Sequence, residues 1–134
     1  MFQPLNLMLG NEMILVFARI VVSSFFLVAG LFGAFNFKIV VQEMRDASLA
    51  RPQFFALATI TTQLSGSVLL ITNVAGLSWL GAGILGVFTL LCIPFGHAFW
   101  CYPEPRRTAE LHIALEHLAL TGGLLLAAIA SRST

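Results

Sequence analysis

Four apolar segments, each long enough to cross a membrane, limit what this chain can fold into. They cover residues 13–35, 54–74, 77–95 and 111–130. A helix needs about 20 mostly apolar residues to cross a hydrocarbon core about 30 Å thick. Inside that core the backbone must satisfy its own hydrogen bonds, as a helix does. The sequence therefore predicts an all-α fold, an integral membrane four-helix bundle, built as one domain over residues 1–134.

Charge supports this prediction and excludes one class of partner. Only 10% of the residues are charged, whereas soluble domains have about 25%. The net charge of +1 comes without the basic stripe that nucleic-acid binding requires. We therefore expect the lipid bilayer to surround the protein, and we expect no nucleic-acid partner.

The three connections differ in character. Residues 37–53 mix apolar and charged side chains, so we expect a short amphipathic helix at the membrane interface that ends at Pro52. Residues 74–76 carry no charge and predict a tight hairpin. The third connection, residues 96–110, has two prolines and several aromatic residues, which are typical of an ordered or interfacial loop. Pro94 marks the end of the third segment or a kink in it.

Basic residues predict the orientation in the membrane. The first and third connections share one membrane side and contain Lys38, Arg45, Arg51, Arg106 and Arg107, whereas the other side has only Arg132. Lys and Arg accumulate in short cytoplasmic loops. We therefore expect these two connections in the cytoplasm and both termini outside. The segment before residue 13 lacks Lys and Arg, so we expect the first span to be retained rather than cleaved as a signal.

Two polar residues inside the spans require an explanation, because polar groups in hydrocarbon are costly. Arg19 lies about 9 Å inside the first span at 1.5 Å per residue. Its side chain either extends outward to the surface or turns inward to bind an anionic or carbonyl group. Gln63 lies near the middle of the second span, where an amide should find a partner across the bundle. Helix-to-helix bonding is the structural alternative for Gln63.

A second group of polar residues lies near one membrane side. His97 ends the third span, while His112, Glu116 and His117 begin the fourth, so these side chains could converge. Histidine titrates near neutrality and can exchange protons. Trp100 is either an interfacial aromatic residue or a surface on which a ring such as a quinone could stack. A polar column of Arg19, Gln63, Glu116 and His117 through the bundle is a further hypothesis.

Haem and metal sites are weaker interpretations. Three histidines raise the alternative of bis-histidine haem ligation, but no spacing in the sequence supports it. Structural zinc needs four closely spaced ligands, so we predict no metal site. Cys92 and Cys101 form neither a disulfide framework nor a CxxC motif and are interpreted as ordinary thiols.

Several segments in order resemble the DoxX family of small four-helix membrane proteins. The carrying segments are ARIVVSSFFLVAGLFGAFNF, QLSGSVLLITN, FGHAFW and EHLALTGGLLLAA. The family pattern falls on Arg19, Gly30, Phe37, Gln63, His97, Trp100, Gly122 and Gly123. Members of the family often have Lys where this chain has Gly33, Glu in place of Gln63, and Lys-Asn in place of Glu116 and His117. The resemblance implies the inner membrane of a bacterium, and some relatives transfer electrons to quinone or serve as membrane partners of redox enzymes.

These observations lead to one functional prediction and one alternative. The chain lacks nucleotide-binding, P-loop and serine-nucleophile motifs, which leaves its catalytic role undetermined. We predict a redox-associated membrane subunit that binds a quinone-like ligand, with candidate ligand-binding residues His97, Trp100, Glu116, His117, Arg19 and Gln63. A redox-enzyme subunit and a second copy of the chain are the candidate partners. The alternative is a non-enzymatic membrane scaffold or a transporter of a small solute.

Overall fold

The computed structural model describes residues 3–132, in which every regular element is helical. The six α-helices are α1 Gln3–Leu9, α2 Glu12–Phe35, α3 Phe37–Asp46, α4 Pro52–Thr72, α5 Ser78–Gly96 and α6 Arg106–Arg132. Four of them, α2, α4, α5 and α6, lie in stretches that are long and apolar enough to span a membrane. The predicted all-α membrane bundle of four spans is therefore confirmed. The first helix, α1, was not among the predicted elements.

Polar caps define the limits of α2. The side chain of Asn11 accepts a hydrogen bond from the Met13 amide at 2.7 Å, which satisfies one of the free donors of the first turn. At the other end, the Asn36 side-chain amide donates to the Phe32 carbonyl at 2.8 Å. The helix has 24 residues, or about 36 Å at 1.5 Å per residue, which is sufficient to cross a bilayer.

The short helix α3 confirms the amphipathic helix predicted in the first connection. Val40 and Val41 are buried and pack with Ala56 and Ile60 of α4. The predicted end at Pro52 is wrong, because α3 ends at Asp46 and Pro52 instead begins α4. Proline suits the first position of a helix because the amide hydrogen that it lacks would have no intrahelical partner there.

A tight turn joins α4 to α5, as the sequence predicted for residues 74–76. Asn73 and Ala75 adopt positive φ angles of 50° and 54°, and the Asn73 side chain accepts a hydrogen bond from the Ser78 amide at 3.0 Å. The Ser78 hydroxyl donates to the Leu70 carbonyl at 2.7 Å. These bonds fix α4 and α5 as an antiparallel pair.

Close approach of α4 and α5 requires glycine at Gly81. A Cβ atom there would lie 2.6 Å from the Gly66 carbonyl oxygen and 2.8 Å from the Leu70 amide nitrogen. Both are backbone atoms and cannot turn aside. Glycine at position 81 therefore allows the two helices to approach closely, whereas Gly83, Gly86 and Gly122 would each place a Cβ in open space.

The main core cluster takes buried residues from all four spans. Its buried members are Phe26, Leu70, Ala82, Leu85 and Leu124. Packing is extensive between α2 and α4, between α4 and α5, and between α5 and α6, but α2 and α6 make few contacts. The order of helices is therefore α2, α4, α5 and α6, with an incompletely closed side between the first and the last.

Two helix ends differ from the predicted spans in ways that affect the candidate site. Helix α5 continues past Pro94 to Gly96, and α6 begins at Arg106, five residues before the predicted fourth span. The turn Val74–Gly76 lies at one end of the bundle, called here the hairpin end. The connection from His97 to Pro105 lies at the other, called here the loop end. Both α3 and this connection belong to the loop end because the four spans alternate in direction.

Candidate functional site

The loop end joins α5 to α6 through a histidine and a glutamate. His97 follows α5 directly, and its amide caps the helix by donating to the Ile93 carbonyl at 2.9 Å. Its ring Nδ1 lies 2.8 Å from Glu110 Oε2. The side chains are 28% and 14% exposed, respectively, so water reaches this contact without surrounding it. Arg106 adds a longer hydrogen bond, from Nε to the other Glu110 oxygen at 3.4 Å.

His117 completes a cluster with His97 and Glu110, called here the histidine cluster. The two imidazole rings have centroids 4.9 Å apart and are tilted by 56°. His117 Nδ1 lies 2.9 Å from the Ile113 carbonyl oxygen. The cluster therefore brings together two of the predicted site residues, His97 and His117, with one that the sequence did not indicate.

Hydrogen-bond partners determine where each imidazole carries its proton. A carbonyl oxygen can only accept, so His117 must carry hydrogen on Nδ1 to make its bond. An ionised Glu110 is also an acceptor, which assigns the hydrogen on His97 to Nδ1 in the same way. Within residues 3–132 neither Nε2 atom has a hydrogen-bond partner. Each neutral ring therefore offers Nε2 as an acceptor for a ligand hydrogen or a proton.

Aromatic and basic side chains pack on one another in the loop beside the cluster. Phe99 and Trp100 lie in a short 3-10 turn, with ring centroids 5.1 Å apart in an edge-to-face arrangement. The Arg106 guanidinium stacks 3.7 Å above the Tyr102 ring, and Arg107 Nε donates to the Tyr102 carbonyl at 2.9 Å. Trp100 remains 52% exposed, so a face of its indole is open to a ligand or to lipid headgroups.

Arg19 belongs to the opposite end of the bundle. It is 5% exposed, and its Nε donates to the Ser131 hydroxyl oxygen at 3.1 Å. The side chain therefore lies inside the bundle rather than against lipid. Because Ser131 lies at the end of α6, the bond joins the first span to the last. Nearby, the Arg132 guanidinium lies 5.9 Å from the centre of the Trp79 ring.

Gln63 is buried against α2 but does not form the predicted cross-bundle bond. It is 8% exposed, and its Cβ lies 3.2 Å from where a Cβ on Gly30 would be. Glycine at position 30 offers no side chain with which an amide could bond. Among residues 3–132 the Gln63 amide makes no hydrogen bond, and none of the fully buried polar side-chain atoms there lacks one. The amide therefore retains access to the bundle surface.

The predicted polar column does not form. Glu116 is exposed on α6, whereas Arg19 lies at the hairpin end and His117 lies in the histidine cluster. Consecutive residues on a helix point about 100° apart, because a turn contains 3.6 residues. Glu116 therefore cannot face the cluster together with His117, and its predicted role in ligand binding is not supported by proximity to His97. No group of three metal-ligating side chains occurs within residues 3–132.

Glu110 is the site residue that sequence reasoning missed. The predicted fourth span began at residue 111, which left Glu110 in a loop. Two signals were present in the sequence. Glu110 lies four residues after Arg106, which is the spacing of ion pairs within a helix. Glu110 also follows the third span after a short connection, so its side chain could contact the end of that span. Extension of α6 to Arg106 places it beside His97.

The helices and their polar residues define a class of small, four-span, α-helical membrane proteins. Within that class the chain belongs to the DoxX family, whose family model matches residues 14–98. The match includes Arg19, Gln63 and His97, and it ends before Trp100, Glu110 and His117. Comparison with curated proteins and with solved structures gave no match.

Proposed function

We propose that this DoxX protein is a redox-associated membrane subunit that binds a quinone-like ring at the histidine cluster. The observation that carries the proposal is the hydrogen bond of 2.8 Å between His97 and Glu110, with the His117 ring packed against His97 at 4.9 Å. Two half-buried imidazoles whose Nε2 atoms have no hydrogen-bond partner within residues 3–132 suit a ligand that exchanges two protons. The membrane setting suits a ligand with an apolar tail.

The cluster supports proton exchange through defined atoms. A quinone would supply two-electron chemistry when bound, with its electrons exchanged with a redox partner subunit. His97 and His117 can each hold a proton at Nε2 and donate it to a ligand oxygen. Glu110 accepts the Nδ1 hydrogen of His97 at 2.8 Å and so fixes the orientation of the imidazole ring.

Trp100 and the remaining predicted residues take different roles in this proposal. The exposed indole of Trp100 is near His97 in the chain and offers a flat surface on which a ring could stack. Arg19 and Gln63 organise the bundle away from the ligand. The ligand-binding role of Glu116 remains a prediction from the sequence.

Purification from native membranes in a mild detergent tests this function. The extracted sample is assayed for bound quinone and for copurifying proteins. We expect quinone retention in the wild type, and a loss of about two- to tenfold in His97→Gln, since one neutral hydrogen bond to the ligand is worth about 0.5 to 1.5 kcal/mol. Trp100→Ala should also reduce retention, while Trp79→Ala, the same change at the hairpin end, should not.

Two outcomes would contradict the proposal. The first is recovery of the wild type as a homo-oligomer without quinone or a redox partner. The second is equal quinone retention in Trp100→Ala and Trp79→Ala together with no effect of His97→Gln. Membrane abundance of each variant is measured in parallel, so that a folding defect is not scored as loss of binding.

A scaffold without enzymatic activity, or a transporter of a small solute, is the second candidate. One observation favours the scaffold. Glu110 already accepts the hydrogen bond from His97 Nδ1 within the protein, and this bond joins the end of α5 to α6. Under this alternative, His97→Gln lowers membrane abundance and changes no bound ligand. The same purification therefore separates the two functions.

The proposed location is the inner membrane of a bacterium, with the loop end in the cytoplasm and both termini outside. Support comes from the distribution of basic side chains, five of which lie at the loop end while Arg132 lies at the hairpin end. In this orientation the histidine cluster would exchange protons with the cytoplasm.

A further inference from the structure

Glu116 is an ionisable side chain on the outer surface of a membrane-spanning helix. It is exposed and lies ten residues after Arg106 in a helix of 27 residues. If α6 is centred on a hydrocarbon core about 30 Å thick, Glu116 lies about 10 Å inside that core. Glutamate is too short to reach the surface from this depth by extending its side chain, unlike arginine or lysine.

The position of Gly123 shows which way Glu116 faces. Gly123 faces α2: a Cβ atom added to it would lie 3.6 Å from the Val22 side chain. Glu116 precedes Gly123 by seven residues, which is about two helical turns, so both lie on the same side of α6. Glu116 therefore faces the incompletely closed side between α6 and α2, nearer the loop end.

Helix α6 is also the least covered of the four spans. Only 11% of its most apolar 18-residue window is buried, compared with 22% to 33% in the other spans. His112 is exposed one turn before Glu116 on the same face. Ala119, three residues beyond Glu116, is exposed and small, so a neighbouring helix could approach this surface closely.

A carboxylate in this position requires a partner. A charge near the middle of a membrane helix costs about 2.5 to 3.5 kcal/mol on translocon scales. Among residues 3–132 the Glu116 side chain has neither a hydrogen bond nor an ion pair. A cation supplied at this depth by another molecule would offset the cost.

A second copy of the chain does not offer a Lys or Arg for this pairing. The sequence has seven Lys and Arg residues, and the six other than Arg19 lie in connections or at helix ends. Arg19 is buried and bound to Ser131. Two copies joined through this face around a symmetry axis perpendicular to the membrane would place one carboxylate against the other.

We propose that the face of α6 that carries His112 and Glu116 binds a transmembrane helix of a different subunit, and that this helix bears a Lys or Arg at the depth of Glu116. The proposal is independent of quinone binding and would hold for a scaffold as well. It defines the partner by its chemistry, a basic residue within an otherwise apolar span.

Site-specific photo-crosslinking in native membranes tests the proposal on the full chain. A photoreactive amino acid replaces Ala119, on the proposed face, or Leu125, which is exposed on the opposite side of α6. We expect position 119, and not position 125, to crosslink a membrane protein that has a Lys or Arg within a span. With the probe at position 119, Glu116→Lys should reduce the crosslink at least about tenfold, as expected for a loss of 1.4 kcal/mol or more.

A charge exchange establishes that the interaction is direct. Replacement of the partner's basic residue by Glu should restore the crosslink to Glu116→Lys but not to the wild type. Glu43→Lys makes the same change of charge on an exposed residue of α3 and should leave the crosslink unchanged. Crosslinking only to a second copy, only to lipid, or with no dependence on the charge at position 116 would overturn the proposal. The wild-type crosslinking pattern remains interpretable even if a Glu116 variant fails to accumulate.

Discussion

At the hairpin end, Arg19 is 5% exposed and binds Ser131 across the first and last spans, whereas at the loop end His97 and Glu110 bind each other at 28% and 14% exposure. The first contact lies inside the bundle, at the same end as the close approach of α4 and α5 at Gly81. The second joins α5 to α6 and leaves α2 apart. Polar groups at the hairpin end therefore hold the helices together, while those at the loop end remain accessible to a ligand.

The largest expected effect is at the close contact near the hairpin end. Gly81→Ala would place a methyl group within 2.6 Å of the Gly66 carbonyl oxygen, so we expect a loss of about 3 kcal/mol in the free energy of unfolding. Gly83→Ala is the matched control, because its Cβ meets open space and alanine favours a helix over glycine by up to about 1 kcal/mol. Unfolding in mixed detergent micelles measures both, and equal stability of the two variants would contradict the assigned contact.

A smaller loss is expected when the hydroxyl that binds Arg19 is removed. Ser131→Ala leaves a buried guanidinium with one acceptor fewer, which should cost about 1 to 3 kcal/mol. Ser24→Ala is the control, because Ser24 is exposed and, among the described residues, bonds only to the Val21 carbonyl of its own helix. Its effect should stay within about 0.5 kcal/mol. A comparable loss in both variants would show that the bond between Arg19 and Ser131 does not stabilise the bundle.

At the loop end, replacement of Glu110 should change the tautomer of His97 more than the stability of the fold. Glu110→Gln can offer either an amide hydrogen or an oxygen to Nδ1, so neutral His97 should become a mixture of its two tautomers. Nitrogen NMR of the imidazole measures this directly. His117, which donates to the Ile113 carbonyl, should keep its tautomer. An unchanged His97 spectrum would contradict the assigned hydrogen bond.

The smallest expected effect on stability is that of a reporter fusion, which tests which compartment each end of the bundle faces. A reporter fused at Thr134 should signal from outside the cytoplasm and leave stability unchanged, because the basic side chains accumulate at the loop end. A second fusion within the connection after α5 should give the opposite signal. A cytoplasmic signal at Thr134 would reverse the proposed orientation and place the histidine cluster outside.

Apolar length was sufficient to predict the spans, because the thickness of the bilayer sets a minimum that few other folds share. The site was less accessible to the sequence. Glu110 was missed because apolar length marks where hydrocarbon begins, and a helix can extend further into the interface, as α6 does to Arg106. Gln63 and Glu116 were misplaced in a column because the depth of a residue can be read from its number, whereas the rotation of its helix depends on packing. Packing places Gln63 against Gly30, which has no side chain to bond with the amide, and the sequence does not show this pairing.

The bond from Arg19 to Ser131 also has a consequence for biosynthesis. The two residues are 112 positions apart, so a growing chain inserts its first span long before the serine that binds the arginine has been made. A chain that stops early would keep a cation in the membrane without this acceptor, at a cost of about 2.5 to 3.5 kcal/mol. Membrane quality control could distinguish such a product from the finished protein, because the state of Arg19 in the first span depends on whether the last span has been made.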